Sequence, residues 1–152
     1  MAYTLSEVAF SALFKTEYDW NYTTEPEPNL NNRRLYWPRG KTLGGSSSIN
    51  AMIYIRGHRV DYDRWAQLGN EEWGWEDVLP YFIKAENNER GANDLHGVGG
   101  ALNVADLHET HPLSHTLETA AVQAGIPRNP DFNGAHQAGV GFYQVTQKDG
   151  QR

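Results

Sequence analysis

Apolar positions in this chain come in short groups, each soon broken by glycine, proline or asparagine. Residues 3–14, YTLSEVAFSALF, have helical spacing, with Ser6 placed to cap the helix. The polar stretch after it contains Pro26 and Pro28 and is no single regular element, though a short strand fits 35–37. SSINAMIYI reads as a buried helix or a strand, because periodicity does not separate the two over so short a run. RVDYDRWAQLG predicts a helix with Val60, Trp65 and Leu68 on one face and Gly69 as its stop. GWEDVLPYFIKAEN is also helical in pattern, with Pro80 requiring a first-turn position or a kink. Residues 91–100 form a glycine-rich loop, and ALNVADL alternates like a half-buried strand.

The clearest helix is HPLSHTLETAAVQAG, with Pro112 in the first turn and Gly125 past its end. Leu113, Leu117, Ala120, Ala121 and Ala124 form its apolar stripe. After it, residues 126–139 read as loop, and VGFYQVTQ starts as a strand. The expected fold class is α+β, with short irregular helices and a small, mostly antiparallel sheet, in one domain spanning 1–152.

Length and composition narrow the functions open to such a fold. A globule of 152 residues buries roughly 70% of its unfolded surface, enough for a core. The net charge of −6 argues against broad attraction to nucleic acid or anionic membrane. With no cysteine, disulfides, iron–sulfur clusters and thiol nucleophiles are excluded. No run approaches the roughly 18 apolar residues of a membrane span and no signal-peptide pattern opens the chain, so a cytoplasmic location is expected.

Chemistry concentrates first in RGKTLGGSSSINAMIYIRGH, residues 39–58. Paired glycines let backbone amides approach a phosphate, a helix start adds N–H donors, and serine hydroxyls supply more. Gly44, Gly45, Ser46, Ser47 and Ser48 could thus seat a pyrophosphate, or form a serine-capped junction between loop and helix.

The wider stretch WPRGKTLGGSSSINAMIYIRGHRVDYDRW closely resembles the signature of the glucose–methanol–choline (GMC) family of FAD-dependent oxidoreductases. The likeness continues through WGWEDVLPYFIKAE, HGVGGALNV and NPDFNGAHQAGVGFYQVTQKDGQR, and upstream through YDWNYTTEPEP, nearest to choline- and alcohol-dehydrogenase-like members. The resemblance implies a part in a larger flavoprotein architecture. It implies that Gly44, Gly45, Ser46 and Ser47 lie against FAD, with Asn50 near the isoalloxazine and Arg39 and Lys41 either neutralising phosphate or solvated. Ile49 stands where some members carry a histidine joined to the flavin, which implies a non-covalent cofactor. Asn133 and Gln137 match family positions, with packing and substrate contact both open.

The implied reaction is hydride removal from a small-molecule alcohol to flavin N5, a histidine taking the hydroxyl proton. The family's G-x-G-x-x-G fingerprint and its HWH-like segment have no match here. The chain therefore reads as an internal fragment, roughly a quarter to a third of a whole enzyme, with its catalytic residues unassigned and weak FAD binding expected.

Two rival readings stand beside this one. His108, His111 and His115, with Asp106 or Glu109, have spacing that could bind iron or zinc, giving a small metal-dependent oxygenase or hydrolase. Alternatively the chain is a non-catalytic assembly module, joining in homo-oligomers through exposed aromatic surface. His58, His96 and His136 are expected to be solvated or hydrogen-bonded loop residues.

Overall fold

The computed structural model describes residues 10–151; Ser6 and the start of the first expected helix lie outside them. The sequence reads as one domain, but the contacts gather into two compact units. One ends at Met52 and takes in the last residues from Asp149, and the other is Ile53–Lys148.

The first unit has little regular structure. A 3-10 turn at Phe10–Leu13 occupies the described end of the expected helix. Strands β1 (Tyr22–Thr23) and β2 (Tyr36–Trp37) pair antiparallel, Tyr22 opposite Trp37. Between them Pro28 opens a second 3-10 turn, Pro28–Leu30, where its missing N–H costs nothing. The knot of this unit is Asp19, whose carboxylate accepts from the backbone N–H groups of Lys15, Asn21 and Arg39 and from the Tyr36 hydroxyl. Burial by itself would raise this carboxyl's pKa. The Tyr36 hydroxyl and the three amides outweigh burial and hold it well below the usual carboxylate range.

In the second unit, β3 (Ile53–Tyr54) pairs antiparallel with β6 (Gln144–Val145). Helix α1 (Arg59–Gln67) and helix α2 (Trp75–Ala85) pack on each other through rings: Tyr62 lies 5.8 Å from Trp75 and 5.9 Å from Phe82, centre to centre. The inward face of α1 is therefore Tyr62, Asp63 and Ala66, while Val60, Trp65 and Leu68 are exposed. Asp63 also accepts the first amide of α2, from Trp75 at 2.9 Å, so one helix caps the next. Pro80 lies in the interior of α2 rather than its first turn, on the exposed side.

Strand β4 (Glu86–Asn88) follows α2 directly. It pairs in parallel with β5 (Leu102–Val104), so Glu86 and Asn87 leave the helix that their sequence suggested. Helix α3 (Pro112–Gln123) starts on Pro112, and Gly125 beyond its end has φ of 91°. Its inward face is Ser114, Glu118 and Ala121. Leu113 and Leu117 of the expected stripe are 69% and 71% exposed. Glu118 is drawn inward, 3.5 Å from Arg128.

The architecture is mixed α and β, and among the described residues the strands form three two-stranded pairs, two of them antiparallel. Among the described residues ten buried positions are polar or charged and seven apolar, so hydrogen bonding carries an unusual share of the interior. No helix among the described residues is long and apolar enough to cross a membrane.

Candidate functional site

The glycine–serine segment is an exposed loop folded back on itself. The Gly40 N–H donates to Ser46 Oγ at 3.2 Å. The backbones approach so closely that a Cβ on Gly40 would stand 2.1 Å from the Gly45 carbonyl oxygen. Gly44 and Gly45 have φ of 88° and 59°, a left-handed pair that glycine adopts without strain, and they lead into a 3-10 turn at Gly45–Ser48. SSINAMIYI is thus neither helix nor strand throughout, but this turn followed by β3.

The hydroxyls turn inward more than the composition suggested. Ser47 Oγ donates to the Gly44 carbonyl and Ser48 Oγ to the Leu43 carbonyl, each at 2.7 Å. Ser46 accepts from Gly40 and so keeps its own proton to give. A Cβ on Gly45 would meet nothing within 4 Å, and Ser46, Ser47 and Asn50 are exposed beside it. The Arg39 guanidinium bonds the Pro38 carbonyl at 2.7 Å and sits over the Trp37 ring, while Lys41 sits over Trp20. Trp20, Tyr22 and Trp37 are 49%, 53% and 46% exposed, with Trp20 and Tyr22 stacked.

The second unit holds a buried network that sequence reasoning missed. Glu86 is fully buried. Its carboxylate accepts from Arg56 Nη2 at 2.7 Å, Asn88 Nδ2 at 2.8 Å and the Gly97 N–H at 3.1 Å, and faces His96 Nδ1 at 3.0 Å. The other ring nitrogen of His96 faces Asp131 Oδ2 at 3.0 Å. Asn88 and Gln144 exchange amide hydrogen bonds, tying β4 to β6.

Burial would raise the Glu86 carboxyl's pKa, but His96, Asn88, the Gly97 amide and Arg56 together hold it below its ordinary value. The His96 pKa is raised, first by Glu86 and then by Asp131, against the opposing effect of burial. HGVGG offered one signal of this site: His96 stands next to a glycine whose added Cβ would meet the Ile83 carbonyl oxygen at 1.9 Å.

Asn133 and Gln137 hold backbone. Asn133 Oδ1 accepts from the Arg56 N–H at 2.7 Å, its Nδ2 donates to the Tyr54 carbonyl, and Gln137 donates to the Arg56 carbonyl at 2.8 Å. They line a cleft of about 160 Å³ together with Leu95, Phe132, Trp75 and His58.

The histidines expected to bind metal do not gather. Among the described residues no group of three or more His, Cys, Asp or Glu could hold a metal ion. His111 Nδ1 caps α3 by accepting from the Leu113 N–H, and His115 bonds Thr110 and packs on Phe142. His108 is exposed, and Asp106 is occupied by Arg90.

Comparison with known proteins places the fold in a class of flavoenzymes: the family model for GMC oxidoreductase matches residues 6–152, and the chain belongs to that family. It is 56% identical over 135 residues to an alcohol dehydrogenase [acceptor] of Pseudomonas putida, covering 88% of this chain and 24% of that one. It is 48% identical over 142 residues to the mitochondrial choline dehydrogenase of Mus musculus, covering 93% and 24%. Among solved structures it superposes on pyridoxine 4-oxidase from Mesorbium loti with a TM-score of 0.88 at 34% identity, covering 98% of this chain and 30% of that one. A formate oxidase matches with a TM-score of 0.81 at 27% identity, covering 97% and 27%. The chain spans about a quarter of the length of these curated relatives.

Proposed function

We propose that the 39–50 loop is a flavin-contact surface of an FAD-dependent alcohol oxidoreductase, and that this chain supplies it as one part of such an enzyme. The loop's shape carries the reading. Gly44 and Gly45 take left-handed φ values, the Gly45 Cα faces open space, and Ser46 keeps a hydroxyl proton to donate. A backbone bare of side chains can approach a pyrophosphate closely. Ser47 serves this surface indirectly, stapling the turn through the Gly44 carbonyl. Asn50, exposed at the loop's end, would face the isoalloxazine, and Arg39 would exchange its Pro38 carbonyl for phosphate.

FAD, when bound, supplies the acceptor for a hydride from an alcohol carbon. The residues here would hold it without covalent attachment at position 49, since isoleucine offers no nucleophile. The names of the relatives support an alcohol such as choline as substrate of the whole enzyme.

The test is a titration of the chain with FAD, read by quenching of flavin fluorescence, beside Gly45→Leu. Saturable quenching that weakens about tenfold or more in the variant, the equivalent of about 1.4 kcal/mol, is expected. No saturable quenching even at the high FAD concentrations that weak binding requires, or equal quenching by both chains, would overturn the assignment.

A further inference from the structure

The His96 ring is flanked on both sides by acid. Its Nδ1 lies 3.0 and 3.2 Å from the two Glu86 oxygens and its Nε2 lies 3.0 Å from Asp131 Oδ2. A neutral imidazole has one N–H and one lone pair. Asn88 Nδ2 lies 3.1 Å from Nδ1, but its two hydrogens are given to Glu86 Oε1 and Gln144 Oε1, so with both neighbours ionised the lone pair would face a carboxylate. A doubly protonated ring satisfies both contacts. It also completes an alternating row, Arg56 positive, Glu86 negative, His96 positive, Asp131 negative. The row is buried at its centre, where an unmatched charge is costly.

The contact joins two walls of the cleft. Leu95 immediately precedes His96, Phe132 immediately follows Asp131, and both line the cleft. Asp131 in turn accepts the Asn133 N–H at 2.9 Å, and Asn133 and Gln137 form the wall beyond. We propose that His96 is a charge latch: its imidazolium clamps the 93–97 loop to the 129–137 loop, and loss of its proton releases Asp131 and loosens the cleft wall. The proposal is independent of flavin binding.

The charged and titratable groups around the latch come from every neighbouring element. Glu86 comes from β4, and Arg56 from the segment after β3, with Tyr54 bonded to Arg56 Nε. Asp131 comes from the 129–137 loop, and Arg90, after β4, bonds the Pro130 carbonyl while pairing with Asp106. Asp94 lies on the same loop as His96. Of these, only Glu86 and Asp131 touch the ring, and each favours its protonated form.

The test is a long-range proton–nitrogen spectrum of the ¹⁵N-labelled chain, followed from neutral into alkaline pH, with backbone amide signals of residues 129–137 read in the same samples. At neutral pH both ring nitrogens of His96 should carry protons. As the ring titrates, the amides of Asn133, Gly134 and Gln137 should shift with the same midpoint. Asp131→Asn keeps the side chain's size and removes its charge, so the ring's midpoint should fall by about one pH unit or more. His96→Gln should give the released loop signals at neutral pH. A single ring proton at neutral pH would overturn the proposal. So would loop amides indifferent to the ring's titration, or an unchanged midpoint in Asp131→Asn.

Discussion

The 40–50 loop and the Glu86 network both organise polar groups around glycines, by opposite means. The loop is exposed and closes on itself through bonds as short in sequence as Ser47 to Gly44. The network is buried and closes over long separations: Arg56 to Glu86 spans 30 residues, Asn88 to Gln144 spans 56 and Arg56 to Asn133 spans 77. The loop keeps its shape by local backbone geometry and leaves a face for a partner. The network spends nearly all its donors and acceptors internally, and among the described residues no buried side-chain nitrogen or oxygen lacks a hydrogen-bond partner. Polarity at an open surface is available for binding, whereas the same polarity in the interior determines which packing is allowed.

Removing the network's centre should cost most. Glu86→Ala leaves the Arg56 and His96 charges buried without their shared anion, and stability should drop by about 3–5 kcal/mol in urea unfolding. A drop below about 1 kcal/mol would mean that the charges are not interdependent.

The pH dependence should show the same inequality. Glu86 and Asp19 have lowered pKa values in the fold, so their stabilisation is present above the unfolded carboxylate values and disappears as pH falls through the folded ones. His96 has a raised one, so its share is complete below the unfolded imidazole value and is lost as pH rises through the folded value. Thermal midpoints should therefore decline on both sides of a plateau, and His96→Gln should flatten the alkaline side.

Smaller effects separate the two kinds of glycine. Gly97→Ala drives a methyl into the Ile83 carbonyl and should cost about 1–3 kcal/mol. Gly45→Ala meets no atom and should cost only the left-handed backbone penalty, about 1–2 kcal/mol. The smallest change is expected from His111→Ala, which removes one cap from α3 and should cost about 0.5–1 kcal/mol, with added zinc leaving the thermal midpoint of either chain unmoved.

What the sequence made legible was local. Pro112 at a helix start, Gly69 and Gly125 past helix ends and the glycine–serine turn are each written in adjacent residues. Which helix face turns inward was not, because Glu118 and Asp63 are drawn in by partners distant in the chain, Arg128 and the Trp75 amide, while the leucines of α3 stay out. Glu86 looked like one more helical residue; its destination depends on Arg56 and His96, which no periodicity connects to it. At the 39–50 loop the position of the glycines was readable, but the direction of the serine protons depends on backbone carbonyls that only the folded turn supplies.

Helix α2 runs into β4 with no connecting residue, Ala85 ending one and Glu86 beginning the other with ψ of 140°. There is no slack at that joint. The last turn of α2 and the Glu86 carboxylate, which four groups hold in place, are consecutive in the chain, so the end of the helix and the centre of the network are positioned together.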